Sequence, residues 1–273
     1  MITDLKPGDK LVSFFVLRKK ELKSKRDSDD DYLSLELGDA SGRVTATVWD
    51  DVQKHYDALS KGDIVKVKGK AINFRERLHI TVEKIRGAEE KDQCDLKQLV
   101  PVVDKDRNKL LAHLDELIKK VENDPLKKLL NSIFKDESIR KAFRNAPGGK
   151  LWHHNYVGGL LEHTLSVTDI SLSVGANYPG INRDLLIAGG LLHDIGKIES
   201  YSYKTLIDYT DRGRLLGHIV IGAQIVSDKI KSIPDFPKNL ENQLLHLILS
   251  HQGKLEQASP VVPMTLEGLL LYY

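Results

Sequence analysis

In the first third of the chain, apolar and polar residues alternate with a period of two, which is typical of half-buried β-strands. The segments 32–37 and 43–48 show this alternation on both sides of a glycine-containing turn, so they predict a hairpin. A short helix is predicted for 50–59, and strands follow it at 64–74 and 78–82. Three strands, a helix and two strands is the element order of an OB-fold, a small barrel that commonly binds oligonucleotides. Other all-β folds of this size remain alternatives.

After residue 106 the pattern changes to that of amphipathic helices. Apolar residues recur every three or four positions between 110 and 121, and Asp124-Pro125 begins another helix. The charged segment 87–106 carries Pro101 and predicts a linker. The sequence therefore predicts a multidomain α+β protein, with a five-stranded OB-fold β-barrel at 1–86 and an all-α helical bundle at 107–273.

Composition narrows the class of protein only slightly. The 273 residues are 41% hydrophobic and carry 41 basic and 39 acidic side chains, so bulk charge does not indicate a nucleic-acid partner and any basic surface must be local. Cys94 is the single cysteine, which excludes an intrachain disulfide and suits a reducing compartment. No apolar run approaches the roughly 20 residues that span a bilayer, and the N-terminus lacks a signal peptide. We therefore expect a cytoplasmic protein without a membrane partner.

The predicted barrel carries candidate nucleic-acid-binding residues on its fourth and fifth strands. Lysines at alternate positions suit a phosphate backbone, and aromatic rings nearby suit stacked bases, each worth roughly 1–3 kcal/mol. A merely solvated strand face is an equal alternative for the lysine row. Trp49 is expected to fill the barrel interior, and the charged segment 19–31 predicts a mobile hairpin loop. The candidate residues are Lys66, Lys68, Lys70, Phe74, Arg75, Arg77 and His79.

An imidazole and a carboxylate, His193-Asp194, stand at the end of the apolar helical run 185–192. A polar pair that follows an apolar segment tends to be buried with it, and buried ionisable groups are tolerated mainly when they are paired or bind a metal. Gly196 offers a helix stop that frees Lys197 to reach the same site. The dipeptide alone favours the plainer interpretation, a solvated helix end.

Three further histidines lie on apolar faces of predicted helices. His163 has Leu160 and Val167 one turn to either side, and His218 and His251 are placed similarly. Any one of them alone is more often a structural residue. Together with His193-Asp194 they make a shared metal centre the simpler interpretation.

The order of these residues resembles the HD superfamily of metal-dependent phosphohydrolases. The phrases HHNYVGGLLEHT at 153–164 and SHQGK at 250–254 resemble, more narrowly, the YhaM-type 3′-to-5′ exoribonucleases. This is a bacterial family with an oligonucleotide-binding domain ahead of the HD domain. The resemblance spans most of the chain, and it implies hydrolysis of single-stranded RNA from its 3′ end to nucleoside 5′-monophosphates, with single-stranded DNA as a second candidate substrate.

The resemblance also implies roles for the site residues. His163, His193 and Asp194 hold one divalent ion, and Asp194 bridges to a second ion near His218 and His251. Manganese, as one or two ions, is the metal that the resemblance implies. Imidazole-rich sites suit manganese, iron, cobalt or zinc better than magnesium or calcium. Lys197 neutralises a phosphate oxygen, and Asp194 is catalytic as well as a ligand. Of the two adjacent histidines at 153 and 154, only His154 is predicted to contact the substrate or to hold a metal ligand in place.

Two positions depart from the family pattern. Gln252 stands where related sites often have a second histidine, which makes the second ion doubtful. The late Asp that HD domains carry on a helix after Leu266 does not occur before Tyr273, so we expect either a truncated sequence or a site that is short of one anionic ligand. The segment 199–214, rich in tyrosine and arginine, predicts a long functional loop around the site.

Two rival functions remain from the sequence. One is an HD phosphohydrolase of small or cyclic nucleotides, with the barrel as a regulatory module. The other is a non-catalytic single-strand-binding protein whose helical domain is a scaffold. Metal content and turnover on single-stranded RNA distinguish them, and the sequence leaves the oligomeric state open.

Overall fold

The computed structural model of the chain describes residues 1–24, 30–92, 94–150 and 154–273. Their backbone forms two compact units, and each has its own hydrophobic core. The first unit comprises residues 1–102 together with 204–206, and the second comprises residues 103–203 and 207–273.

The first unit is a closed five-stranded barrel with the strand order β1-β2-β3-β5-β4. Its strands are β1 (Lys10–Ser24), β2 (Asp31–Asp39), β3 (Gly42–Val48), β4 (Ile64–Phe74) and β5 (Arg77–Gly87). Neighbouring strands are antiparallel except β3 and β5, which run parallel, and β1 pairs with β4 to close the barrel. Helix α1 (Val52–Ala58) lies between β3 and β4 in sequence. The predicted OB-fold barrel is thereby confirmed.

The period of two along each strand decides which side chains fill the barrel. On β4, Val65, Val67 and Ala71 are fully buried, whereas Lys68 and Lys70 are exposed on the opposite side. Alternate leucines of β2 are buried in the same way. Truncating a buried leucine of this kind to Ala typically costs about 2–5 kcal/mol, so the apolar interior holds this unit together.

Trp49 corrects one expectation for the barrel. Its side chain is 46% exposed, and its ring packs against Tyr32 with 5.1 Å between the ring centroids. Val48 is the last buried residue of β3, so the alternation turns the next side chain outward. Trp49 therefore offers an exposed aromatic surface instead of filling the interior.

The described parts of the segment 19–31 also differ from the expected loop. Strand β1 continues to Ser24 and pairs with β2 as far as Asp31. The middle of the predicted loop, 25–29, lies outside the described residues. Lys19, Glu21 and Lys23 occupy alternate positions of the strand, and the Glu21 carboxylate forms ion pairs with both lysines.

The two-residue turn between β4 and β5 is strained. Arg75 and Glu76 both have left-handed backbone conformations, with φ of 51° and 64°, which is the geometry that a tight hairpin turn requires and that side chains disfavour by roughly 1–2 kcal/mol per residue. We expect Glu76→Gly to stabilise the folded chain by about 1 kcal/mol, since Gly adopts this conformation freely. Urea unfolding of the two proteins measures the difference. Glu76→Ala, which removes the carboxylate and keeps Cβ, is the control, and equal midpoints for the Gly and Ala variants would contradict the strain argument.

The described residues of the second unit are mainly helical and include one short hairpin. Its helices are α3 (Arg107–Lys119), α4 (Asp124–Phe134), α5 (Glu137–Asn145), α6 (Gly159–Gly175), α7 (Arg183–Leu192), α8 (Lys197–Ser200), α9 (Asp211–Lys231), α10 (Lys238–Ser250) and α11 (Leu266–Tyr272). Side chains that cap the helix starts include Asp106, Asn123, Asp136, Asn182 and Thr210. A short helix α2 (Leu96–Leu99) lies in the segment that was expected to be a linker.

Helices α6 and α7 lie at the centre of this unit. Helix α6 contacts α3, α5, α7 and α11, and α7 also contacts α4, α10 and α11. All the residues of α7 from Leu185 to Leu192 are buried, so the apolar run that precedes the His-Asp pair belongs to the core. None of the described helices combines the length and apolar character that crossing a membrane requires.

The predicted loop 199–214 contains secondary structure. Strands β6 (Tyr201–Ser202) and β7 (Asp208–Tyr209) form a two-stranded hairpin, and α9 begins at Asp211. Tyr201 and Tyr209 pair across the hairpin with 5.0 Å between their ring centroids. Two-residue strands are too short to show alternation, which is why the sequence pattern did not indicate them.

Candidate functional site

Two histidines of the candidate metal centre stand at the ends of helices. His193 follows α7 and His251 follows α10, and each occupies the C-cap position. Their Nδ1 atoms lie 2.8 Å from the carbonyl oxygens of Gly190 and Ile248, to which the Nδ1–H groups donate. In the neutral ring this hydrogen bond leaves Nε2 unprotonated, and a partner at Nδ1 is the usual support for a metal-ligating imidazole. Both Nε2 atoms are therefore available as ligands.

The other two histidines come from α6 and α9. His163 lies on the first turns of α6, and its Nε2 is 3.4 Å from Nε2 of His193. His218 follows Gly217, whose φ of 73° and ψ of 155° interrupt α9. Only glycine adopts this conformation without strain, so Gly217 sets the direction in which His218 enters the site. His246, by contrast, accepts a hydrogen bond from the backbone N–H of Met264 and does not join the centre.

Asp194 lies between these two pairs of imidazoles. Its Oδ2 is 3.3 Å from Nε2 of both His163 and His193, and its Oδ1 is 3.3 Å from Nε2 of His218 and 3.6 Å from that of His251. Two groups of ligand atoms result, each within 4.8 Å, and they share Asp194. The sequence-predicted ligands are thus brought together as two sites with one carboxylate in common.

The donor set fits a divalent transition-metal ion. Asp194 is 2% exposed, and its Oδ1 is buried without accepting a hydrogen bond of good geometry. An unsatisfied buried carboxylate oxygen facing two imidazole nitrogens is costly unless a cation lies between them. Imidazole nitrogens with a carboxylate oxygen suit manganese, iron, cobalt or zinc.

Burial and charge keep these groups in the protonation states that ligands need. Burial lowers the pKa of His193 to about 4, and the Asp194 carboxylate opposes this only in part. Burial also lowers the pKa of His218. For Asp194, burial acts to raise the pKa, but the Lys197 ammonium beside the carboxylate outweighs burial and holds the pKa well below its usual range. At neutral pH the two imidazoles are therefore neutral and the carboxylate is ionised.

Lys197 reaches the metal centre, as predicted from the sequence. Its Nζ donates to Oδ2 of Asp194 and to the carbonyl oxygen of Gly148, at 2.6 Å in each case. An ammonium group has three N–H donors, so one remains for a phosphate oxygen. The side chain is 12% exposed and lines the cavity above the centre.

Gly196 has a different role from the expected helix stop. Its φ of −63° is ordinary for a right-handed helix, so no left-handed conformation is involved. A Cβ added at Gly196 would lie 2.0 Å from the carbonyl oxygen of His218 and 2.5 Å from the amide nitrogen of Gly222. Glycine is therefore needed because the backbone of the His-Asp motif touches that of α9.

His154 belongs to a hydrogen-bonded chain behind His163. The Tyr156 hydroxyl donates to Oε2 of Glu162, so the Tyr156 oxygen accepts from Nδ1 of His154 at 2.8 Å. Lys105 lies 2.7 Å from the other Glu162 oxygen, and the His154 ring is 5.3 Å from that of His163. Sequence reasoning missed Tyr156 and Glu162, because nothing in their spacing indicates that they meet. Trp152 and His153 lie outside the described residues.

A cavity of about 800 Å³ opens above the metal centre. The five candidate ligands and Lys197 line it, whereas His154 is not among its described lining residues. A cavity of this size holds a small ligand of up to a few hundred daltons. The arrangement can therefore place an anionic substrate beside bound metal and the Lys197 ammonium.

The candidate lysine row on the barrel is partly neutralised by carboxylates. Lys66 lies 3.0 Å from Asp92, and Lys68 lies 3.2 Å from Glu83. Lys70 is exposed and makes no ion pair with a described residue. The lysine row faces outward, as the alternation predicted. Of its three ammonium groups, only that of Lys70 has no carboxylate partner among the described residues.

The aromatic candidates lie at the end of the same sheet. Phe74 is 53% exposed and its ring centroid is 5.7 Å from that of His79, while the Arg75 guanidinium lies 5.3 Å from the Phe74 ring. His79 is held by hydroxyls of Thr45 and Thr47, each 2.9 Å from a ring nitrogen. The structure thus brings Phe74, Arg75 and His79 together, with Arg77 at the start of β5.

Comparisons with known proteins agree with both units. The chain matches the HD domain family over residues 160–273 and the OB-fold nucleic acid binding domain family over residues 16–86. It is 32% identical to the 3′-5′ exoribonuclease YhaM of Bacillus licheniformis and 30% identical to that of Bacillus subtilis strain 168. Each match extends over 264 residues and covers 96% of this chain and 82% of the relative. The protein with these two folds and this shared His-Asp centre belongs to the YhaM family of 3′-5′ exoribonucleases.

Proposed function

We propose that this protein is a metal-dependent 3′-to-5′ exoribonuclease that shortens single-stranded RNA and releases nucleoside 5′-monophosphates. The convergence of four imidazoles on one buried carboxylate, beneath an open cavity, is the observation that carries the proposal. In the reaction, an oxygen of water bonds to phosphorus and the P–O3′ bond breaks. The proton goes to the departing 3′ oxygen, so the shortened strand keeps a 3′-hydroxyl.

The protein residues would divide the work between metal binding and phosphate binding. His163 and His193 would hold one ion and His218 and His251 a second, with Asp194 shared between them. A divalent ion bound there lowers the pKa of water and neutralises charge on the phosphate. The free N–H of Lys197 would donate to a phosphate oxygen as negative charge develops there.

Manganese is the metal that we propose, on the ground of the family resemblance; the donor set of imidazoles with one carboxylate is compatible with it and equally with iron, cobalt or zinc. His154 contacts His163 and Tyr156 but does not line the cavity, which favours a positioning role, through His163, over contact with substrate. We propose further that the barrel holds the strand on the face that carries Lys70, Phe74 and His79, and that exposed Trp49 adds to this surface.

A time course on end-labelled single-stranded RNA, with manganese present or chelated, tests the proposal. A 5′-labelled strand should shorten stepwise with manganese and remain intact with chelator. Single-stranded DNA of the same sequence and a panel of small and cyclic nucleotides measure substrate preference. Turnover of a nucleotide without turnover of RNA would indicate a small-nucleotide phosphohydrolase, and metal-free protein that binds RNA without cleaving it would indicate a scaffold.

The lysine row makes a separate, electrostatic prediction. Phosphate contacts release counterions, so the slope of log affinity against log salt should fall by roughly 0.7 for each contact that is removed from a single strand. We expect Lys70→Ala to give most of the loss seen when Lys66, Lys68 and Lys70 are all replaced by Ala, since the first two are already paired with carboxylates. Titration of labelled RNA in chelator at several salt concentrations measures the slopes. Lys128→Ala, which removes an exposed lysine of α4, is the control. Unchanged affinity and slope in the triple variant would exclude this face of the barrel as an RNA-binding surface.

A further inference from the structure

A second group of polar and aromatic side chains lies around the cavity, apart from the metal ligands. We call Lys150, Asp208, Tyr209 and Arg214 the rim cluster. Nζ of Lys150 is 2.5 Å from Oδ1 of Asp208, and the Arg214 guanidinium is 3.7 Å from the same atom. Two cations thus share one carboxylate, which leaves the cluster with one excess positive charge. The Arg214 side chain is 66% exposed, so its donors can reach an anion in the cavity.

The ring of Tyr209 is held in place beside these cations. Tyr201, which is 7% exposed, supports it across the β6-β7 hairpin, and the Lys150 ammonium is 5.3 Å from the centre of the Tyr209 ring. Tyr209 itself is 41% exposed and lines the cavity. An aromatic ring that is fixed by its neighbours loses little conformational freedom when another flat group stacks on it.

The rim cluster and the metal centre are connected by one short segment of chain. Lys197 donates to the carbonyl oxygen of Gly148 next to the metal centre, and Lys150, two residues later, pairs with Asp208 at the rim. Both groups line the same cavity. A molecule with a phosphate at the metal centre can therefore extend along this wall towards the rim.

An excess cation beside an exposed aromatic ring matches the chemistry of a nucleotide. Bases stack on aromatic side chains whatever their identity, and arginine recognises phosphate through several parallel N–H donors. We propose that the rim cluster is a nucleotide subsite, in which Tyr209 stacks a base near the 3′ end of the strand and Arg214, with Lys150, binds a neighbouring phosphate. This inference rests on the proposed function, because the nucleotide belongs to the strand that is cut at the metal centre.

The base-stacking part is tested by a double-mutant cycle between protein and RNA. Affinity is measured in chelator for a short single-stranded RNA and for the same RNA with an abasic residue at its last or its penultimate position. We expect Tyr209→Ala to weaken binding of the intact RNA about ten-fold and to cause no further loss with one of the two abasic strands. Tyr209→Phe should bind normally. Tyr209→Leu keeps an apolar side chain against Tyr201, so it checks that the loss of affinity in Tyr209→Ala does not come from misfolding. Equal losses on all three strands would overturn the stacking assignment.

The phosphate-binding part has a matched control on the same helix. Arg214→Ala should weaken binding and lower the salt slope by roughly 0.7, the value of one phosphate contact. Arg212→Ala should change neither quantity, because Arg212 pairs with Glu199 and Gln224 and is not among the described cavity residues. Equal effects of the two substitutions would overturn the assignment to Arg214.

Turnover separates this inference from the proposed function. If wild-type protein with manganese does not cleave the RNA, the proposed function fails, while the affinities in chelator still decide whether the rim cluster binds a nucleotide. If wild-type protein cleaves RNA and the rim variants bind and cleave it as well as wild type does, the inference fails and the proposed function stands. Under the inference, the rim variants raise KM and retain wild-type metal content.

Discussion

Asp194→Asn is expected to abolish metal-dependent hydrolysis and to leave binding of single-stranded RNA nearly unchanged. Asp194 is the only carboxylate in either group of candidate ligands within the described structure, and its two oxygens face different pairs of histidines. An amide is a poor ligand for these ions, so both sites lose their shared ligand together. The fall in turnover should exceed the roughly 10- to 100-fold loss that removal of an outer-shell partner causes.

The matched control for this variant is Asp169→Asn. Asp169 also pairs with a histidine of the helical unit, at 2.9 Å from His113, but its side chain is half exposed and lies outside both ligand groups. Elemental analysis and turnover on single-stranded RNA should show losses in Asp194→Asn and none in Asp169→Asn. Retained metal and turnover in Asp194→Asn would refute the ligand assignment. RNA affinity that falls as far as turnover would refute the division of labour between barrel and helical unit.

Gly196→Ala is expected to destabilise the helical unit and to reduce its metal content. The new methyl group would overlap the backbone of His218 and Gly222, and backbone atoms cannot rotate away as a side chain can. Forcing an extra methyl group into a packed interior typically costs roughly 1–3 kcal/mol, and a backbone clash belongs at or above the upper end of that range. Because the displaced segment carries His218, the affinity for metal should fall as well.

Gly222→Ala tests the same backbone contact by adding a methyl group on α9 instead of at Gly196. Its added Cβ would lie 3.2 Å from the amide nitrogen of Gly196, a contact that a shift of a few tenths of an ångström relieves. Ala also favours the helical conformation over Gly by about 1 kcal/mol, which offsets the strain. Urea unfolding and elemental analysis of both variants should therefore show a large loss at position 196 and little change at position 222. Comparable stability of the two variants would show that the close approach is unimportant.

Much of this fold follows from local sequence patterns. The period of two along β2, β3 and β4 and the helical period after residue 106 each depend on one face of one element being buried, so they are visible without any knowledge of tertiary structure. The four histidines were identifiable for the same reason. Each lies on or beside an apolar helical segment that the pattern already assigns to the core.

The remaining features depend on contacts between distant parts of the chain. Lys150 and Asp208 are 58 residues apart, and no local pattern indicates that they form an ion pair. The requirement for Gly196 comes from the backbone of α9, which lies apart from it in sequence and reaches it only when the chain is folded. Sequence reasoning therefore identified which residue types gather at the site but could not show what supports them.

The C-terminal ends of α7 and α10 contribute negative electrostatic potential beside Asp194. The aligned peptide dipoles of a helix place about half a negative charge at its C-terminus, and both helices end at the metal centre, where His193 and His251 occupy their C-cap positions. Two such ends together approach the charge of a second carboxylate, although they are screened more readily. The cation and the helix ends should then stabilise each other, so that release of the metal frays the last turns of α7 and α10 before the rest of the helical core loosens.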